Sequence, residues 1–246
     1  MKQREILAYY SLAHEGNWSK IAEAIKTSEP PVIKEISDAY LTIYDEAYPK
    51  EFLSLRHPPW VLFYEGNLEL LKDAKVSIVG SRHLTDYGAY VTRNITKELS
   101  KHYVVVSGLA KGADACAHET ALDNGKGTIG IIGSGLGMHY PKENESLYQK
   151  MKTQLILSEY PHEVGVKKYH FPWRNRLIAA LGKYLFVTQA SYHSGTMLTV
   201  NEAIALSKEV YCVPYPFGNQ VGIGCNALIE QGANILYDID QLKALI

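Results

Sequence analysis

The sequence predicts an α/β protein, an extended Rossmann-like, doubly wound and mostly parallel sheet preceded by a small N-terminal helical module. Three observations lead there. From Lys75 onward, short β-branched and aromatic runs alternate regularly with amphipathic stretches. Those runs are continuously apolar rather than alternating, which marks strands covered on both faces. The first 45 residues instead carry apolar side chains at helical spacing.

Taken in order, ILAYYSLA (Ile6–Ala13) and WSKIAEAIK (Trp18–Lys26) read as helices. Asn17 or Ser19 is placed to cap the second, and Pro30–Pro31 ends it. A third helix is expected over Val32–Tyr44, giving a helical module over 1–45. The segment Glu46–Asn67, with Pro49, Pro58 and Pro59, reads as an extended lead-in (46–74) to the main domain, 46–246. Strands are expected at Val76–Gly80, Tyr103–Gly108, Thr128–Gly133, Gln154–Glu159, Tyr184–Gln189 and Glu209–Pro214, with a weak one at Ala233–Tyr237. Helices are expected between and after them at Tyr87–Ser100, Lys111–Asp123, Asn144–Lys152, Arg174–Leu181, Thr196–Ser207, Asn226–Gln231 and Ile239–Leu245.

Composition narrows the function. Apolar residues make up 46% and charged residues 21%, which suits one sizeable soluble core. Lys plus Arg total 25 against 26 Asp plus Glu, so any attraction to nucleic acid has to come from a local patch. Cys116, Cys212 and Cys225 form no CxxC, which argues against a disulfide framework or a zinc site. The N-terminus lacks an apolar signal core, and the uncharged run Val210–Ile229 is broken by proline and glycine. A cytoplasmic protein with no membrane partner is expected.

Ligands of such sheets sit beyond the carboxyl ends of the strands. There the chain places Gly80-Ser81-Arg82, Ser107-Gly108-Leu109-Ala110-Lys111, Gly133-Ser134-Gly135 and Ser191-Tyr192-His193-Ser194-Gly195-Thr196. Glycine permits close backbone approach, and the amides at a following helix start attract anions. Four such turns with Arg82 and Lys111 among them point to phosphate, although single βα turns use Gly and Ser for steric reasons alone. GSGLG (Gly133–Gly137) has the wrong spacing and place for a dinucleotide fingerprint, and no GxxxxGK[ST] occurs. Asp114 and His118, four apart on a helix, find no third metal ligand. SGTMLTVNEA (Ser194–Ala203), with Glu202 as a carboxylate, leaves open a nucleotide-processing enzyme of phosphoribohydrolase type; its bland counterpart is an ordinary capped helix.

KKYHFPWRNR (Lys167–Arg176) concentrates charge: the stretch Glu163–Tyr184 holds Lys167, Lys168, Arg174, Arg176 and Lys183 against the single acid Glu163, and Arg82, Arg174 and Arg176 are half of the six arginines. Tyr169, His170, Phe171 and Trp173 are interleaved. Rings beside cations suit single-stranded nucleic acid, whose bases stack while its phosphates meet Lys and Arg. Phe171 and Trp173 packed as core residues is the alternative.

Several ordered motifs resemble the DNA-processing protein A (DprA, or Smf) family: YPKEFLSLRHPPWVLFYEGN (Tyr48–Asn67), VSIVGSRHLTDYG (Val76–Gly88), VSGLAKGADACAH (Val106–His118), FPWRNRLIAAL (Phe171–Leu181), SGTMLT (Ser194–Thr199) and GCNALIEQGA (Gly224–Ala233). The resemblance implies a non-enzymatic, homodimeric single-stranded DNA binder of natural transformation that helps load a RecA-type recombinase and needs no cofactor. By matching motif it implies DNA-binding roles for Arg82, Ser107, Gly108, Lys168, Phe171, Arg174, Asn175, Ser194 and Gly195, with Lys111 a further phosphate ligand. Gln189 stands where the family often has Glu, Tyr215 where it has Gly, and Lys111 where Arg is common. With about four phosphates neutralised, affinity should fall roughly fiftyfold between 50 and 200 mM salt.

Overall fold

The computed structural model describes residues 2–246. Its N-terminal helices are α1 (Gln3–Ala13) and α2 (Trp18–Thr27), the second capped by Asn17, whose Oδ1 accepts from the Lys20 amide at 3.0 Å. The expected third helix does not form. Residues 29–37 have no regular structure, and strand β1 (Ala39–Thr42) follows, pairing antiparallel with β2 (Val61–Gly66) from the proline-rich lead-in. Ile36, Tyr40 and Ile43 of this stretch pack against the core around the strand. Pairing with a segment twenty residues away outweighs local periodicity here.

The remaining elements follow the expected alternation: β3 (Lys75–Val79), α3 (Asp86–Leu99), β4 (Val104–Ser107), α4 (Ala113–Asp123), β5 (Thr128–Ile132), α5 (Glu145–Met151), β6 (Leu155–Ser158), α6 (His170–Leu181), β7 (Tyr184–Val187), α7 (Gly195–Ala205), β8 (Glu209–Cys212), α8 (Ile223–Glu230) and β9 (Asn234–Ile235). Helix α6 begins four residues before the expected Arg174, because Pro172 falls in its first turn, where a missing N–H costs nothing. The stretch Ile239–Leu245 is a 3₁₀ rather than an α-helix.

The nine strands form one sheet in the order β1-β2-β6-β5-β4-β3-β7-β8-β9, parallel from β6 to β9, with β1 and β2 antiparallel at one end. Chain order runs outward from β3 in one direction through β6 and then returns to β7 on its other side. The crossover helices α3 and α4 pack together, as do α6 and α7, so the sheet is covered on both faces. All five residues of β3 and of β5 are buried, the polar Lys75, Ser77 and Thr128 among the Val and Ile, so neither strand shows the in–out alternation of a half-exposed one.

Two arginines of the basic segment turn inward. Arg176, expected as part of the cationic strip, makes a bidentate pair with Glu159 just after β6, at 2.8 and 2.6 Å, with both side chains only 5% exposed. Burial pushes the Glu159 carboxyl up and Arg176 opposes that shift. The guanidinium also lies 4.4 Å from the Trp173 ring centre. Trp173 belongs to a docking cluster: its ring is 5.4 Å from His57, which meets Trp18, which stacks on Trp60. Trp18 Nε1 donates to the Pro58 carbonyl at 2.7 Å and Trp60 Nε1 to the Trp18 carbonyl at 3.2 Å. The rings thus seat the N-terminal helices on the lead-in and α6.

Removing one member of a buried pair strands the other charge. Arg176→Met should lower unfolding stability by about 3–5 kcal/mol, and the double variant Arg176→Met/Glu159→Met by clearly less, in urea titrations.

Candidate nucleic-acid interface

The order of strands reverses between β3 and β7, and their carboxyl ends open a crevice there. The turn Gly80–His83, the start of α6 and the start of α7 line it, enclosing a cleft of about 660 Å³. A smaller hollow of about 200 Å³ lies beside it against Lys111, Ser134 and Pro141. Arg82, Tyr140 and Phe171 line both. The Arg82 guanidinium sits 5.1 Å from the Phe171 ring centre, and the Tyr140 ring is 5.6 Å from that of Phe171. The charge and the ring that the sequence offers from separate motifs, 89 positions apart, therefore meet.

The floor is built by Arg174, which is 3% exposed. Its Nη1 donates to the Gly108 carbonyl at 2.6 Å and to the Ile131 carbonyl. Asp114, buried but still part of the cleft lining, lies beside it. Desolvation raises the Asp114 carboxyl, while Arg174 acts to lower it. Arg174 thus commits Nη1 to the ends of β4 and β5, while its buried Nε has no partner and the side chain lines both hollows. Gly108 has a steric reason: a Cβ there would overlap Arg174 Nη1 and lie 2.6 Å from Asp114 Oδ2. The Ser107 hydroxyl also turns inward, donating to the Ile78 carbonyl at 2.6 Å. His118 bonds Thr128 Oγ1 at 2.7 Å through Nδ1, and burial pushes it down to about 3, so its ring is neutral.

One residue fastens both ends of the Arg82 turn. The Gln189 carbonyl accepts from the Ser81 amide at 2.7 Å. Its side-chain Oε1 accepts from the Thr85 amide and hydroxyl at 3.1 and 2.9 Å, and its Nε2 donates to the His83 carbonyl at 2.9 Å. Thr85 caps α3 in turn, and Gly88 leaves room for the amide, since a Cβ there would overlap Oε1. Tyr215, the second departure from the family pattern, donates to the Thr188 carbonyl at 2.8 Å and lies 3.4 Å from Gln189 Oε1. The two departures are neighbours.

Of the cations at the cleft, Arg82 and Lys168 are exposed and have no carboxylate partner among the described residues, whereas Lys111 pairs with Glu143. On the opposite wall, Asn175 Nδ2 donates to the Gly195 carbonyl at 3.4 Å, and Thr196 Oγ1 to the Gly80 carbonyl at 3.0 Å. Gly195 opens α7 with free space above it, and the Ser194 Oγ at its cap is buried without a partner. Glu202 lies two turns further along α7, away from the cleft lining, and its charge acts on His57. Sequence reasoning missed Tyr140, a ring after a glycine-rich turn, and reached Gln189 only as a departure from a pattern.

The family model of DNA recombination-mediator protein A matches residues 39–246. The chain is 38% identical over 231 residues to the DNA processing protein DprA of Streptococcus pneumoniae, covering 88% of this chain and 82% of that protein. It is 38% identical over 205 residues to DprA of Bacillus subtilis, covering 82% and 69%. The solved structure of the Streptococcus pneumoniae protein superposes with a TM-score of 0.86 at 30% identity, over 99% of this chain and 98% of that one. That of DNA processing protein A from Helicobacter pylori, described for its single-stranded DNA binding mode, gives 0.76 at 34% identity over 84% and 94%.

Gly108→Ala should displace the Arg174 guanidinium and lower stability by about 1–3 kcal/mol, read by thermal or urea unfolding.

Proposed function

The chain belongs to the DNA recombination-mediator protein A family, and we propose that it binds single-stranded DNA at the β3/β7 crevice without chemical turnover. The observation that carries this reading is the meeting of Arg82 with Phe171, a cation and a ring side by side at the mouth of the cleft. Arg82 and Lys168 hold phosphates, and the first amides of α7 at Gly195 and Thr196 supply further donors to an anion. Phe171, with Tyr140 beside it, offers a surface for a base. Arg174, Ser107 and Gly108 shape the floor from below, and Asn175 braces the wall. Lys111 is held by Glu143 in an exposed pair that a phosphate can compete for.

A binder fits the groups that remain unengaged. Asp114 lines the cleft but lies buried beside Arg174, and Glu202 is not among the lining residues, so the exposed groups of the cleft are cations, hydroxyls and rings. The finer reading, which is action in natural transformation, loading of a RecA-type recombinase and homodimerisation, is supported by family membership. No helix among the described residues is long and apolar enough to cross a membrane.

Two unpaired cations rather than four lower the expected salt response. Oligothymidine affinity should fall about sevenfold between 50 and 200 mM salt, using the single-strand slope. Fluorescence anisotropy checks this, and Arg82→Ala or Lys168→Ala should each reduce the log–log salt slope by about 0.7. Equal affinity for duplex and single strand would refute the role given to Phe171. Gln189→Met should weaken binding in the wild-type background yet add little to Arg82→Ala, because both changes remove the same cation from its place.

A further inference from the structure

The segment that leads into α6 faces two hollows. Lys168 and Phe171 line the cleft, while their neighbours Lys167, Tyr169 and His170 line a separate groove of about 310 Å³ between α6 and the N-terminal helices. This groove is rich in rings. Tyr160 and His170 are stacked 3.9 Å apart, and Trp18 and Trp173 complete the lining. Tyr169 stands at its edge, 61% exposed, its one ring neighbour the edge-on His170 at 4.7 Å. Around the groove lie Lys20, which has no ion pair among the described residues, and Lys167, whose Nζ reaches Glu15 at 2.7 Å. That pair is exposed on both sides, so it is weak and open to exchange with a phosphate.

We infer that this groove is a second nucleotide subsite, which receives the continuation of a single strand leaving the cleft over Lys168 and stacks one of its bases on Tyr169. The inference rests on the reading of the cleft given above. Three features support the assignment. A strand seated at Lys168 has Tyr169 as its next protein neighbour in sequence and the groove as the adjoining hollow. The exposed Tyr169 ring, held by Lys167 and by the edge-on His170, leaves a face that matches a base in size and polarity. The charges nearest the ring, Lys20, Lys167 and Lys168 against Glu15, leave a local excess of positive charge that complements a phosphate backbone. On this assignment the N-terminal helices form one bank of the strand's path.

Oligonucleotide length separates the two subsites. Anisotropy titrations of the full chain use oligothymidines of about four and about twelve nucleotides, the short one filling the cleft alone. Tyr169→Ala should leave the short oligomer's affinity within about twofold and weaken the long one about tenfold, the size of effect expected from removing a stacked ring. Tyr169→Phe should restore the long oligomer's affinity. Lys20→Gln should reduce the salt slope for the long oligomer alone, by about 0.7. Equal loss for both lengths, or no loss for either, overturns the second subsite while leaving the cleft in place. A wild-type protein that binds neither length refutes the cleft reading itself, and the subsite with it.

Discussion

Arg174 reaches from α6 to the carbonyls of Gly108 and Ile131, with Asp114 alongside. A guanidinium this deeply enclosed needs its charge and donors answered; here Nη1 is met by the ends of β4 and β5 and the charge by Asp114 in the first turn of α4, while the buried Nε has no partner. Crossover helix, central strands and cleft floor are thereby locked to one another. Gly108 follows from that lock, since a side chain at this position would occupy the guanidinium's space. The outer cations are set over this floor: Arg82 on the turn after β3, and Lys168 just ahead of α6.

A division of labour among the basic residues results. Arg174 and Arg176 are consumed inside the protein, one by carbonyls and one by Glu159. Lys111 and Lys167 are balanced by Glu143 and Glu15 on the surface. What stays available is a small part of what the charge run advertises, and its position matters more than its number.

Much of this was legible in the chain. The β-branched runs located the parallel strands because burial on both faces leaves a continuous apolar signature, and the strand-end rule then led to Arg82, Ser194 and Gly195 without any knowledge of packing. The strand Ala39–Thr42 was not legible, since its reason for being extended lies in Val61–Gly66, and residues 32–44 carry a spacing that fits either state. Which face of α6 each arginine occupies was likewise hidden: a run of like charge says where cations cluster in sequence and nothing about which ones find partners inside. Gln189 escaped for a related reason, as a lone amide gains its meaning only from the groups it touches, three of which come from a turn more than a hundred positions earlier.

The fastening of the Ser81–Thr85 turn by Gln189 has a thermodynamic consequence. A loop left free in the empty protein must surrender its conformational entropy when a ligand arrives, which subtracts from affinity and slows capture. Here that ordering is completed during folding, by bonds internal to the protein. Lys168, a long exposed side chain at the crevice, can then adjust to an irregular, flexible polymer without any rearrangement of the fastened turn.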